Sequence, residues 1–184
     1  MHIPTHKGRL ESLSAEHVQE LFELVHASRG HLHKWLPWLK HIHTPQDMHA
    51  FVNRLVADRG PQFVIKVEGR ICGGVGFYVL NKSEKLCSLG YWLGNEFTGQ
   101  GIMQDAALHL CHYGFKNLAL EKAEIRCAEQ NLQSRKLPER LGFYLEGVQS
   151  KAEWLTDRYV DHAIYSILKA EFDVLYPEGF FKHR

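Results

Sequence analysis

Apolar residues along this chain recur with two periods, and the switches between them mark out its elements. Val18, Leu21, Phe22 and Val25 repeat at helical spacing behind Ser14, a capping residue type, with Glu16 in the first turn. A helix is therefore expected to run to about His26, preceded by a short strand over residues 9–13. Thr44-Pro45-Gln46-Asp47 opens a second helix, because threonine caps, proline fits the first helical position and an acid follows the cap by three residues. Gly60-Pro61 stops that helix after about Arg59. Between the two, residues 31–39 are rich in aromatics and broken by Pro37, which permits a short helix and a turn.

Downstream the period changes to two. Residues 62–67 and 71–80 read as a hairpin turning at Glu68-Gly69-Arg70, and residues 85–93 as a further strand. A helix follows over 102–117, its apolar face made by Met103, Ala107, Leu110 and Gly114. Asp105, His109, His112 and Lys116 form a polar stripe at the same spacing, expected to be a solvated face rather than a metal site. Residues 122–128 read as a strand, 134–141 as a short helix ended by Gly142, and 144–154 with 159–168 as a long hairpin. Pro138 falls inside the short helix, where it removes a hydrogen bond and is expected to kink or shorten it. The tail after Glu171 carries little pattern. The order is that of an α/β (α+β) protein, read as a single domain over residues 1–184.

Composition narrows the function. With 22 basic against 21 acidic residues there is no global field to hold a nucleic acid or an anionic membrane, so neither is expected as a partner. Apolar runs fall far short of the roughly 20 residues that span a bilayer, and no secretory signal is apparent at the start. Cys72, Cys87, Cys111 and Cys127 are widely spread with no zinc-ligand rhythm, so free buried thiols in a reducing cytoplasm are expected. Nine of the 13 histidines fall in the first 50 residues. His31/His33 and His41/His43 lack an accompanying carboxylate or thiolate cluster, so surface or groove-lining roles are expected and no metal.

The most informative segment is Gly90-Tyr-Trp-Leu-Gly-Asn-Glu-Phe-Thr-Gly-Gln-Gly-Ile-Met103, where a strand passes through a glycine turn into a helix. Such a turn aims backbone N–H groups and the positive end of a helix dipole at an anion. Gly99 and Gly101 let backbone approach phosphate without a Cβ between. No Gly-Lys-Ser/Thr follows, so this is not a Walker motif, and it does not match a dinucleotide fingerprint.

This segment resembles motif A of the GNAT N-acetyltransferases, whose Gln/Arg-x-x-Gly-x-Gly/Ala loop cradles the coenzyme A pyrophosphate. Thr98 stands at the Gln/Arg position, Gly101 at the first glycine and Met103 at the second. Both departures are familiar in the Rim-type ribosomal-protein acetyltransferases, which the chain resembles from about Arg9 to Lys169. The similar stretches are Leu89-Gly-Tyr-Trp, Gly99-x-Gly-Ile-Met, Asn131-x-x-Ser134, Glu139-Arg-Leu-Gly-Phe-x-Leu-Glu-Gly147, Ala152-Glu-Trp and Tyr159-x-Asp161.

The resemblance implies a GNAT fold, a mixed and mostly antiparallel sheet of about seven strands flanked by about four helices. It implies acetyl-CoA as co-substrate, held by Leu93, Thr98, Gly99, Gln100, Gly101, Ile102, Met103 and Asn131. Glu153 would be the base and Ser134 the proton donor to the leaving thiolate, with the Leu93 backbone N–H facing the oxyanion. Arg29, His33, Trp35 and Trp38 would shape the acceptor groove. Each has a plainer reading: Glu153 as a solvated hairpin residue, Ser134 as a helix cap, Asn131 as a turn residue, and the tryptophans as core. The implied acceptor is the N-terminal α-amine of a protein, ribosomal or other, attacked in a ternary complex without a covalent enzyme intermediate. A small-molecule amine and a non-catalytic acyl-CoA sensor are the alternatives. Homodimers are common in this branch and are expected here.

Overall fold

The computed structural model describes residues 1–181 and contains one eight-stranded sheet of order β1-β2-β3-β4-β5-β6-β8-β7. Its strands are β1 (His2–Pro4), β2 (Arg9–Ser12), β3 (Gln62–Val67), β4 (Arg70–Asn81), β5 (Leu86–Leu93), β6 (Lys122–Ala128), β7 (Tyr144–Leu155) and β8 (Arg158–Leu168). The helices are α1 (Val18–Ala27), α2 (Arg29–Leu32), α3 (Pro45–Asp58), α4 (Ile102–Asn117), α5 (Leu132–Arg140) and α6 (Lys169–Leu175). The mixed, mostly antiparallel sheet matches the expectation, with one strand and two short helices more. β1 pairs with β2 through a turn in which the Thr5 N–H donates to the Gly8 carbonyl at 3.0 Å. α6 and a 3₁₀ turn at Glu178–Phe181 lie in the tail, where no pattern announced them.

Local chemistry explains the boundaries. Ser14 caps a 3₁₀ turn over Ala15–His17 that runs on into α1. The Thr44 capping box forms as expected: the Asp47 N–H donates to Thr44 Oγ1 at 3.2 Å and the Thr44 N–H to Asp47 Oδ2 at 2.9 Å. Gly101 adopts φ +74 at the N-cap of α4, a left-handed conformation that costs most other residues strain. α5 runs through Pro138 instead of starting after it.

Two features of the sheet create the site. β5 and β6 are parallel, but their pairing covers only Leu86 to Leu89 against Lys122 to Ile125. Beyond that point β5 stays with β4 as far as Leu93, and β6 stays with β8 as far as Ala128. The sheet therefore splits, and the facing backbone of its two halves is released at the end that carries the glycine turn. The second feature is a bulge in β7 between Gln149 and Glu153. The core runs along the sheet, with Phe63, Phe77, Leu110, Ile125 and Tyr165 almost wholly buried.

The polar stripe of α4 departs from expectation. Asp105 and His109 are buried, at 8% and 3% exposure, because the chain's first residues and its tail fold over them. Asp105 Oδ2 accepts the Lys7 N–H at 2.8 Å, and its Oδ1 accepts the His6 N–H at 3.3 Å. Phe181 stacks on His112 with centroids 3.8 Å apart and meets His109 edge-on at 5.3 Å. A stripe spaced like a solvated face thus becomes a seam, with only Lys116 keeping the exposed character predicted for it.

Candidate active site

The split between β5 and β6 opens into a cavity of about 1040 Å³. Alternation along β5 sends Tyr91 towards α5 and Trp92 to the other face, where it meets Trp38 edge-on at 6.0 Å. Trp38 in turn stacks on Phe51 of α3, with centroids 4.4 Å apart. Trp35, Trp38, Asn131, Ser134 and Glu153, all singled out in the sequence, line this one cavity. Tyr91, Glu124, Arg126, Gln149 and His162 join them.

Arg29 and His33 are not among its lining residues. The Arg29 guanidinium donates to the Leu39 carbonyl at 2.9 Å and also to the Ile42 carbonyl, tying down the loop that carries the tryptophans. His33 is exposed, and its Nδ1 lies 2.9 Å from the Gly30 carbonyl. The groove expected of four residues is walled by two of them.

Asn131, not Ser134, is the cap of α5: its Oδ1 accepts the Ser134 N–H at 3.2 Å. Ser134 therefore sits inside the first turn, which overturns its reading as a cap and turns its hydroxyl towards Tyr91, 3.1 Å away. Burial holds the Tyr91 phenol above its ordinary range, so the group remains protonated. Burial likewise pushes the neighbouring Cys127 thiol up to about 11, which keeps it a thiol. All four cysteines are free and buried, as their spacing led us to expect.

Glu153 is partly buried, and its carboxylate Oε2 lies 3.0 Å from His162 Nε2. His162 was not legible as a site residue, because only the bulge in β7 brings the two side chains together.

The glycine turn lies at the start of α4. Gly99 and Gly101 have φ +75 and +74, and nothing stands within 4 Å of where a Gly99 Cβ would be. A helix directs its first-turn N–H groups outward without intrahelical acceptors, so this turn fits a phosphate-bearing group. Thr98 Oγ1 donates to the Asn95 carbonyl at 2.9 Å and Gln100 Nε2 to the Glu96 carbonyl at 2.8 Å, bracing the turn. Ile102 is buried and the partly buried Met103 packs against the core, so both side chains help anchor the helix. Leu93 is partly buried at the end of β5, opposite Gly73. Lys7, unremarked in the sequence, lays its side chain against Gly101: its Cε is 3.3 Å and its Nζ 4.0 Å from the position of a Cβ there.

Among the described residues, one group has metal-ligand types close together: His6, Asp105 and His109, whose ligand atoms lie within 4.8 Å of one another. Its carboxylate already accepts two backbone N–H groups, so it reads as a clasp joining the chain's first residues to α4. No helix of the described residues is long and apolar enough to cross a membrane.

Comparison with known proteins agrees with this fold. The model of the acetyltransferase (GNAT) domain matches residues 9–144. The ribosomal-protein-serine acetyltransferase of Escherichia coli (strain K12) is 30% identical over 161 residues, covering 85% of this chain and 90% of that protein. The crystal structure of the microcin C7 self-immunity acetyltransferase MccE, in complex with acetyl-CoA and AMP, superposes with a TM-score of 0.81. It is 28% identical and covers 87% of this chain and 91% of that one. RimL, a ribosomal L7/L12 α-N-protein acetyltransferase in complex with coenzyme A, shares the fold with a TM-score of 0.85 at 24% identity, over 91% of this chain and 98% of that one. The chain belongs to the acetyltransferase (GNAT) family and is an acetyl-CoA-dependent N-acetyltransferase.

Proposed function

We propose that the chain transfers the acetyl group of acetyl-CoA to the N-terminal α-amine of a protein, with a ribosomal protein as the first candidate. The observation that carries this reading is the convergence of Glu153, Ser134 and the tryptophan wall on one cavity at the split in the sheet. The resemblance to the E. coli ribosomal-protein-serine acetyltransferase supports the acceptor class. A protein N-terminus is an extended, flexible strand of polar backbone. The wide cavity between Trp38 on one side and Glu153 on the other suits such an end better than a flat surface would.

In this reading acetyl-CoA lies along the split, its pyrophosphate on the turn at Gly99 and Gly101 and its pantetheine arm beside Asn131. Coenzyme A supplies the activated thioester. An α-ammonium titrates near 8, so a fraction of the acceptor is already neutral at physiological pH, and Glu153 takes up the remaining proton directly or through a water. The neutral amine nitrogen bonds to the thioester carbon while the carbonyl electron pair moves onto oxygen, facing the backbone N–H near Leu93, and the nitrogen then gives its surplus proton to Glu153, which has passed the first to solvent. Collapse restores the carbonyl and breaks the carbon–sulfur bond. The Ser134 hydroxyl protonates the departing sulfur and regains the proton from solvent.

The test is acetyl-CoA turnover, followed by free-thiol release, against N-terminal peptides and small amines, with Glu153→Gln beside the wild type. Turnover on peptides that falls about 10²-fold or more in the variant, with coenzyme binding intact, is the expected result. Preference for a small amine would move the acceptor class, and coenzyme binding without turnover on any acceptor would leave a sensor.

A further inference from the structure

Glu153 and His162 meet through an irregularity of the hairpin. Gln149 lies opposite His162 and Glu153 opposite Val160, so β7 advances four residues while β8 advances two. The bulge takes up the difference. Lys151 within it has φ +48, and its N–H donates to Asp161 Oδ1 at 2.7 Å, which fixes the distortion from the β8 side. Bulges beside functional sites re-aim side chains, and this one swings the Glu153 carboxylate along the strand to within 3.0 Å of His162 Nε2. Both side chains line the cavity, with 36% of Glu153 and 17% of His162 exposed.

We propose that His162 is the positioning partner of Glu153, and that the two serve the acceptor amine as one proton-accepting pair. The proposal rests on Glu153 being the base. His162 donates its Nε2–H to one carboxylate oxygen, which fixes the plane of the carboxylate and leaves the other oxygen for the amine. The proton taken from the acceptor nitrogen is bonded at that second oxygen and leaves from there to solvent, so the imidazole gains and loses none during a turnover. The charge on His162 still governs the reaction. A neutral imidazole orients a full-strength base, whereas an imidazolium beside the carboxylate weakens it as a proton acceptor. The two groups lie 3.0 Å apart, so a charge on the imidazole acts directly on the carboxylate. Other charged groups share the cavity. Glu124 and Arg126 on β6 pair with each other at 3.0 Å, and Arg126 also reaches Gln149 at 3.5 Å. His41, Asp47, Arg54, Asp58 and Arg59 line the cavity from the side that carries Trp38, and Asp161, outside the lining, is engaged by the Lys151 N–H. Among the described residues none of these groups forms a hydrogen bond or ion pair with the His162 ring, so Glu153 is the partner that the geometry assigns to it.

The experiment compares wild type, His162→Gln, His162→Ala and Glu153→Gln in acetyl-CoA turnover from about pH 5.5 to 9, with thermal unfolding and acetyl-CoA binding measured on each. Gln keeps an N–H donor and cannot titrate, and dividing each variant's profile by that of wild type cancels the titration of the acceptor amine itself. Expected are a His162→Gln enzyme whose activity relative to wild type rises towards the acid end of that range, and a His162→Ala enzyme that loses roughly tenfold in kcat with acetyl-CoA binding unchanged. Should His162→Ala fail to fold, His162→Gln carries the test alone. Flat profile ratios in folded His162 variants, with Glu153→Gln inactive, would overturn the pair and leave Glu153 as a lone base. A fully active Glu153→Gln would overturn the assignment of the base, and the pair with it.

Discussion

The hydroxyl of Tyr91 lies 3.1 Å from both the carbonyl oxygen and the hydroxyl of Ser134. Pro138 explains why that carbonyl is available. In an α-helix the carbonyl of residue 134 would accept the N–H of residue 138, and proline has none. The phenol from β5 takes the place of the missing donor. One proline in α5 and one tyrosine in β5 together set the orientation of the hydroxyl assigned to protonate the leaving thiolate.

This substitution of donors predicts a coupling. Tyr91→Phe should destabilise the fold by about 1–2 kcal/mol, because a partly buried carbonyl loses its partner. Pro138→Ala restores a backbone donor to the same oxygen, so it should help the Tyr91→Phe protein more than it helps the wild type. Urea unfolding of the four proteins of this double-mutant cycle measures the difference, expected at about 0.5–1 kcal/mol. Strict additivity would mean that the two donors do not share an acceptor.

The glycine turn makes a prediction about the coenzyme. Alanine at Gly99 or Gly101 must adopt φ near +75 at a cost of about 1–2 kcal/mol. At Gly101 its Cβ also meets the Lys7 Cε at 3.3 Å, a flexible stem that can yield. At Gly99 it meets nothing in the protein and projects into open space, where the proposed pyrophosphate would lie. Gly99→Ala should therefore raise the KM for acetyl-CoA about tenfold or more while leaving kcat at saturation within a fewfold. An unchanged KM would remove the pyrophosphate from this turn.

How much of this could be read from residues alone depends on whether the signal is local. The cap at Thr44, the glycine turn and the succession of elements along the chain from β2 to β8 rest on neighbours in sequence, and the structure reproduces them. Glu153, Ser134 and Asn131 are legible by resemblance to a family, and they line one cavity. His162 is invisible because its meeting with Glu153 needs a bulge, and period-two reasoning assumes a regular ladder. Arg29 is singled out by the region it occupies in the resembled family, and that resemblance does not tell that its guanidinium is spent on the Leu39 and Ile42 carbonyls. Asp105 and His109 mislead for a related reason. Helical spacing tells which residues share a face, but it cannot tell that distant segments at 5–7 and 178–181 will cover that face.

Direct attack in a ternary complex predicts that no cysteine carries the acetyl group. Cys127 is the thiol lining the cavity, and burial raises it to about 11, far from the thiolate a nucleophile needs at neutral pH. Cys127→Ala should keep turnover within about threefold of wild type. A pre-steady-state burst of free thiol that vanishes in this variant would instead establish a covalent step.

The clasp at Asp105 gives the acid stability of the fold a specific source. Burial pushes this carboxyl up, but donors from His109, Thr5 and the Lys7 backbone outweigh it and bring it down to about 2, against an ordinary value of 3.8. A carboxyl whose value falls on folding stabilises the folded state above its unfolded value and loses that contribution as pH drops towards its folded one. Stability from this group should therefore be constant above about pH 4 and decline between about pH 4 and 2. Asp105→Asn should cost on the order of 2 kcal/mol at pH 7. It should also flatten the acid-induced loss, the remaining slope coming from groups such as Glu11, which is held at about 2, chiefly by Lys66 and Arg9. Chemical unfolding of both proteins from pH 7 down to about pH 2 reads out the two slopes. Equal slopes would place the acid-sensitive charge elsewhere. Because the same carboxylate fastens the turn that carries Lys7 to the helix that begins at the glycine turn, a loosened clasp should also weaken acetyl-CoA binding at neutral pH.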